Sequence, residues 1–108
     1  MSSAESIIKI EQYRSAFISI YQAMFHTAKA LLYSKGYKEH SHFCLVIALI
    51  HLYANEKRLL MHINLLEMYR KDREKAVYDG KDISEKECNS AFIDANSFLK
   101  DTKDYLKK

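Results

Sequence analysis

The stretch of residues 18–32, ISIYQAMFHTAKALL, decides the fold of this chain. Its apolar side chains recur at the i, i+3, i+4, i+7 spacing of one helical face, at Ile18, Tyr21, Met24, Phe25, Ala28, Leu31 and Leu32. Ile20, Ala23 and Ala30 widen this stripe until it nearly encircles the helix. The pattern predicts a central helix with neighbours on more than one side, and small residues at Ala23, Ala28 and Ala30 would let those neighbours approach closely.

The composition favours one helical domain. Of the 108 residues, 48% are hydrophobic, none is proline and two are glycine. Because a β-rich domain needs many more turn residues, we predict a single all-α domain over residues 1–108. The net charge of +3 is far below that of a dedicated DNA-binding domain. There is no signal-peptide core and no apolar run of the roughly 20 residues that cross a bilayer. We therefore expect a cytoplasmic protein with no membrane or DNA partner.

The first half of the chain predicts two buried helices. An apolar stripe at residues 7–10 continues into the central helix without a breaker, and that helix ends at Gly36, a residue suited to a helix C-cap. A second helix over residues 42–53 is apolar on nearly every side. This pattern predicts that the second helix is buried, and with it the thiol of Cys44.

The second half predicts two further helices. One spans residues 59–78, and a capping box at Ser84 and Glu87 begins the other. The apolar stripe of this last helix consists of Cys88, Ala91, Phe92, Ala95, Phe98, Leu99, Thr102 and Leu106. Together these segments predict an antiparallel up-and-down bundle of four to five helices.

The sequence offers no metal or cofactor motif. None of the five histidines has the spacing of a metal-binding helix, the two cysteines lie far apart, and there is no glycine-rich phosphate loop. We interpret His26, His51 and His62 as hydrogen-bonded histidines in or beside the core. No acidic pair at helical spacing is expected on an apolar face, so a di-iron bundle is not predicted. We expect no metal and no cofactor.

The segment of residues 69–78, YRKDREKAVY, carries the densest charge. Most of it fits a solvated helix face, and Arg70 with Glu74 fits an i, i+4 ion pair. Arg73 differs from these other charged residues because it falls on the same helical face as the apolar Leu66 and Val77. Two interpretations of Arg73 stay open, a solvated charge and a guanidinium that holds a phosphate bidentately.

The order of residues resembles the HEPN superfamily, and small prokaryotic HEPN-domain proteins in particular. The first block of resemblance is Tyr21-x-Ala-Met-Phe-His26-x-Ala-Lys-Ala-Leu-Leu32, followed by Lys-Gly-Tyr37 and by Ser-His42. The second is Arg73-x-x-Ala-x-Tyr78 with the following Ala91-x-x-x-Ala-x-x-Phe98 helix. The resemblance implies a helical bundle that is usually a homodimer, often encoded beside a minimal nucleotidyltransferase, with several toxin ribonucleases among its members.

The resemblance also implies the site residues. Tyr21, His26, His42 and Arg73 would bind a ligand, and Arg73 with Tyr78 would be the catalytic pair. Ribonuclease members carry an arginine followed, four to six residues later, by a histidine. Here Tyr78 stands at the matching distance. Tyrosine, with an ordinary pKa of about 10, is a poor general base at neutral pH.

A second arginine–histidine pair lies earlier in the chain. Arg58-x-x-x-His62 is one residue short of the ribonuclease motif and precedes its expected place. The scaffold is therefore present while the catalytic motif is degraded, and the sequence leaves open whether any catalysis survives.

We expect a dimeric, catalytically degenerate HEPN-like module that binds a nucleotide, RNA or a minimal nucleotidyltransferase partner, as in a toxin–antitoxin pair. One alternative is a weak metal-independent ribonuclease toxin. The other is a purely structural or regulatory helical dimer.

Overall fold

Four helices make up the described part of the chain. The structure, a computed structural model, describes residues 3–38 and 42–107, and the side chains of residues 7–38 and 44–107. The helices are α1 (Ser3–Ser34), α2 (His42–Leu52), α3 (Lys57–Tyr78) and α4 (Glu85–Leu106). Within the described ranges there is no strand. The predicted all-α fold is confirmed, and so is the continuation of the N-terminal segment into the central helix.

Two predicted helix boundaries are confirmed by their hydrogen bonds. Gly36 adopts a φ of +83°, which glycine reaches without strain. The N–H of Gly36 donates to the carbonyl of Tyr33 at 2.9 Å, and the N–H of Tyr37 donates to that of Leu32 at 3.3 Å. This pair of bonds is the Schellman motif that ends many helices. At the start of α4, the hydroxyl of Ser84 accepts the N–H of Glu87 at 3.1 Å.

The direction of the helices follows from a few contacts. The hydroxyl of Tyr53, just after α2, donates to the carbonyl of Leu31 near the end of α1 at 2.8 Å. Farther along α3, Tyr69 meets Phe17, so α3 runs antiparallel to α1. The thiol of Cys88 at the start of α4 donates to the carbonyl of Tyr13, so α4 runs parallel to α1. The direction of successive helices in the bundle therefore does not alternate strictly.

The core lies along α1, which contacts the other three helices. Its contribution is Phe17, Tyr21, Met24, Ala28, Leu31 and Leu32, all buried. Ala23 and Ala30 are exposed, so the predicted close approach at these two positions is wrong, and Ala28 alone of the three alanines is buried. The reason is that the partners of α1 gather on one side, which leaves part of its wide apolar stripe uncovered.

Two helices are less deeply buried than the sequence predicted. Cys44 is exposed, as are Ile47 and Ile50, because the described residues of α2 pack on α1 and α3 and leave the opposite side of the helix open. On α4, Phe92 and Leu99 are exposed although both belong to the predicted stripe. That stripe was predicted too wide, since the buried face of α4 is the narrower set Cys88, Ala91, Phe98 and Thr102.

A pair of carboxylate hydrogen bonds joins α3 to α4. Nε2 of His62 lies 2.7 Å from Oδ2 of Asp101, and the hydroxyl of Tyr69 donates to Oδ2 of Asp94. The imidazole of His62 is buried, as predicted, and stacks on Phe98 with ring centroids 5.2 Å apart. The two carboxylates, Asp94 and Asp101, stand seven residues apart on α4, and each has its own partner on α3.

Removing one of these carboxylates should destabilise the bundle. In Asp101→Ala, Nε2 of His62 stays buried without a partner, which costs about 1–3 kcal/mol. Asp104→Ala, an exposed neighbour one helical turn away, should change the free energy of unfolding by less than about 0.5 kcal/mol. Urea denaturation of both variants measures the difference, and equal losses would contradict this role for Asp101.

Candidate functional site

A groove between α1 and α3 brings together several of the predicted site residues. It has a volume of about 380 Å³ and is lined by Tyr21, Gln22, Phe25, His26 and Arg73. The first four lie on adjacent turns of α1, because residues three and four apart are neighbours on a helix surface. Arg73 reaches the groove from α3, four residues after Tyr69 and therefore close to the same helical face.

Arg73 differs from its neighbouring arginine in its partners. Its Cζ lies 5.7 Å from the ring centroid of Tyr21, and its Nε is buried without a hydrogen-bond partner. Arg70, three residues earlier, pairs with Glu67 and Glu74 at 2.7 Å each. Among the described residues no ion pair to Arg73 is found, so its charge is balanced mainly by the face of an aromatic ring.

The phenol of Tyr21 is held in its neutral form. Burial raises its pKa to about 12, although the nearby positive charges of Arg73 and Arg70 act in the opposite direction. At neutral pH this hydroxyl is protonated and can serve only as a hydrogen-bonding group. Tyr21 is therefore suited to positioning Arg73 and a ligand, and unsuited to removing a proton.

Aromatic rings and a lysine continue the groove along α1. Tyr21 and Phe25 stack with ring centroids 6.4 Å apart and planes inclined by 22°, and His26 lies beside Phe25 at 6.4 Å. The Nζ of Lys29 stands 5.5 Å from the centroid of Phe25 and 6.0 Å from that of Tyr33. A flat ring can stack on such a wall while a guanidinium and an ammonium attract an anion.

Two of the predicted site residues lie elsewhere. Tyr78 is the last residue of α3 and 76% exposed. Five residues turn a helix by about 140° beyond one full turn, so Tyr78 points away from the Arg73 face and does not line the groove. The side chain of His42 lies outside the part of the chain that the structure describes.

The earlier arginine–histidine pair meets at a carboxylate rather than at the groove. His62 and Arg58 both face Asp101, and a nitrogen of Arg58 lies 3.8 Å from its Oδ1. His62 is buried, whereas Arg58 is exposed. Asp101 is therefore the structural partner of this pair, and the hydrogen bond to it accounts for the buried imidazole of His62.

Sequence reasoning missed two residues of the groove and the lysine beside it. Phe25 was assigned to the core, and Gln22 and Lys29 were not assigned at all. The signal that could have found them is the i, i+4 series Tyr21, Phe25, Lys29 and Tyr33, in which a cation sits between aromatic residues on one helix face.

The family follows from a comparison of the whole sequence. A family model described as the HEPN domain matches residues 1–105. The chain belongs to the HEPN family. No curated protein and no solved structure matches it significantly. Among the described residues of this HEPN protein, no three histidine, cysteine or acidic side chains form a group that could hold a metal ion. None of its described helices is long and apolar enough to cross a bilayer.

Removing the charge of Arg73 and removing that of Arg70 should change the free energy of unfolding differently. Arg73→Met keeps the volume and loses a ring contact of about 0.5–1 kcal/mol, but it also removes a buried unpaired donor. We expect the free energy of unfolding to stay within about 0.5 kcal/mol of the wild type or to rise. Arg70→Met loses two ion pairs and should cost about 0.5–1 kcal/mol. Urea denaturation tests this order, and the reverse order would make Arg73 a structural residue.

Proposed function

We propose that this HEPN protein binds a nucleotide or a nucleotide unit of RNA in the groove between α1 and α3. The observation that carries the proposal is the guanidinium of Arg73, whose Cζ lies 5.7 Å from the ring centroid of Tyr21 and whose Nε is buried without a hydrogen-bond partner. The unpartnered Nε of Arg73 works against stability, because a buried donor without a partner costs free energy. An incoming anion would supply the missing acceptor.

A phosphate fits the geometry of the guanidinium. Arginine presents its donors in a planar fork that matches two phosphate oxygens, and stacking on a ring holds the fork in one orientation. The rings of Phe25 and His26 line the same groove and offer stacking surfaces for a base. A phosphate on Arg73 with a base against these rings describes a nucleotide.

We propose that the module binds without efficient catalysis. The hydroxyl of Tyr21 has a pKa of about 12, so this phenol cannot act as a general base at neutral pH. Tyr78 is exposed outside the groove. The arginine–histidine motif of ribonuclease members is incomplete in this chain, which supports the loss of the proton-transfer step.

One observation favours a second candidate function, a weak metal-independent ribonuclease. His26 lines the groove together with Arg73, and imidazole is the side chain best suited to exchange protons near neutral pH. In this alternative Arg73 orients the phosphate, and His26 replaces the histidine that the motif lacks. A structural or regulatory dimer with an empty groove is the remaining alternative.

The partners proposed for this protein come from the family. We propose a homodimer in the cytoplasm, paired with a minimal nucleotidyltransferase in a toxin–antitoxin-like system. Family membership supports this pairing, and the groove supplies a place where the nucleotide chemistry of such a partner could meet the HEPN chain.

Nucleotide binding tests the main proposal. Calorimetry with AMP and with a short oligouridylate RNA should detect binding that weakens at least about tenfold in Arg73→Met, since a lost hydrogen bond to a charged group is worth about 1.5–3 kcal/mol. The affinity of Arg73→Lys should lie between those of the wild type and Arg73→Met, because lysine keeps the charge but lacks the planar fork of donors. Lys71→Met, an exposed cation on the same helix, is the matched control. Absence of binding to both probes would overturn the proposal.

The alternatives are separated by activity and by capture of a partner. RNA cleavage by the wild type that disappears in His26→Ala and Arg73→Met would establish the ribonuclease. Purification of the tagged chain with a co-expressed minimal nucleotidyltransferase should recover both proteins. Recovery of the HEPN chain alone would contradict the proposed partner.

A further inference from the structure

A second cavity, the α3–α4 cavity, lies where the loop of residues 79–84 joins α3 to α4. It has a volume of about 270 Å³ and shares no lining residue with the Arg73 groove. Pockets for drug-sized ligands measure about 300–1,000 Å³, so this cavity suits a smaller molecule. It is lined by Phe17 of α1, Met68, Tyr69 and Asp72 of α3, Lys81 of the loop, and Lys86, Glu87 and Ser90 of α4.

The inner wall of the α3–α4 cavity is apolar. Phe17 and Tyr69 are both buried and pack edge to face, with ring centroids 5.9 Å apart and planes inclined by 69°. The hydroxyl of Tyr69 already donates to Asp94, so Tyr69 contributes mainly the surface of its ring. Met68 is half exposed, and its flexible thioether can adapt to the shape of a ligand. An apolar group of modest size can therefore pack against this wall.

The rim of the cavity carries charged side chains of both signs. Nζ of Lys81 lies 3.9 Å from Oδ1 of Asp72 and 4.0 Å from Oε2 of Glu87. Hydrogen bonds between such groups measure about 2.7–3.2 Å, so this ammonium stands between two carboxylates without a hydrogen bond to either one. Lys86, in the first turn of α4, adds a second ammonium to the rim. The rim therefore offers donors and acceptors that a charged ligand can engage.

We propose that the α3–α4 cavity binds a free amino acid with an apolar side chain. The carboxylate of the ligand pairs with Lys81 and Lys86, beside the N-terminus of α4, where the helix dipole favours negative charge. The ammonium of the ligand pairs with Asp72 and Glu87. Its apolar side chain packs against the ring of Phe17. This site is separate from the Arg73 groove and goes beyond the nucleotide binding proposed for that groove.

The balance of charge on the rim favours a ligand that carries both signs. The two lysines and the two acidic residues of the lining sum to zero charge. A simple anion would face the carboxylates, and a simple cation would face the ammonium groups, so each would meet repulsion as well as attraction. An amino acid carries an ammonium and a carboxylate on one carbon, from which its side chain leaves in a third direction. Such a ligand can meet both signs of charge at the rim and the apolar wall below them.

Lys81 can receive the ligand without a change in the shape of the loop. Its backbone is fixed, because its N–H donates to the carbonyl of Lys75 at 3.1 Å. Its side chain is 38% exposed and forms only long ion pairs, which contribute little to stability. The ammonium of Lys81 can therefore turn from the two carboxylates toward a bound carboxylate at small cost, and the two carboxylates then receive the ammonium of the ligand.

Calorimetry of the full chain with L-leucine and with L-phenylalanine tests the chemistry of the ligand. Both amino acids should bind. N-acetyl-L-phenylalanine, which lacks the ammonium, and L-phenylalaninamide, which lacks the carboxylate, should each bind at least about tenfold more weakly, because each loses charge-assisted hydrogen bonds. Glycine should also bind at least about tenfold more weakly, since it has no side chain to place on the apolar wall. Absence of binding by both amino acids, or derivatives that bind as well as L-phenylalanine, would overturn the proposal.

Variants of the chain test the place of binding. Lys81→Met should weaken the binding of L-phenylalanine at least about tenfold, whereas Lys100→Met, at an exposed position of α4 outside the cavity, should not change it. Circular dichroism should be unchanged in both variants, because the ion pairs of Lys81 are long and near the surface. An unchanged affinity in Lys81→Met, or an equal loss in Lys100→Met, would contradict the site. Arg73→Met should keep the binding of L-phenylalanine, and its loss there would move the ligand to the groove and overturn the proposal. The amino-acid site and the nucleotide site can therefore fail separately.

Discussion

The rotation of α3 about its own axis is the constraint on which the rest of the structure depends. Two hydrogen bonds to α4, from His62 to Asp101 and from Tyr69 to Asp94, fix that rotation at points two helical turns apart. Because Arg73 follows Tyr69 by one turn, the same rotation brings its guanidinium over the ring of Tyr21. It also leaves Met61 and Met68 exposed on the opposite side of α3. The groove and these exposed methionines are therefore two consequences of one helix orientation.

Much of the fold could be predicted because it is encoded locally. The period of the apolar residues predicted four to five helices, and the described residues form four. Glycine at position 36 marked the end of α1, and Ser84 marked the start of α4. These signals need only a few neighbouring residues. The exposure of Ala23, Ala30 and Cys44 could not be predicted in the same way, since it depends on which sides of each helix the partners occupy.

The candidate site was predicted in part for a similar reason. Arg73 stood out because a charge on an apolar seam is visible within one helix. Its position over Tyr21 joins residues 52 positions apart, and the carboxylate partners of His62 and Tyr69 are 39 and 25 positions away. Contacts between residues so far apart in the chain produce no periodic pattern in the sequence. Phe25 and Lys29 were overlooked because an aromatic residue on α1 fits a core position equally well.

The parallel course of α1 and α4 gathers helix ends of one kind at one pole of the molecule. The carbonyl ends of α1 and α4 lie there, and α2 also ends beside α1. Each carries a partial negative charge, so side-by-side alignment is unfavourable unless cations are nearby. Lys35 lies over Tyr53 and Tyr105 at this pole, and Lys103 is in the last turn of α4. These ammonium groups act as counterions to the carbonyl ends of the parallel helices α1 and α4, and acetylation of both lysines would remove that positive charge.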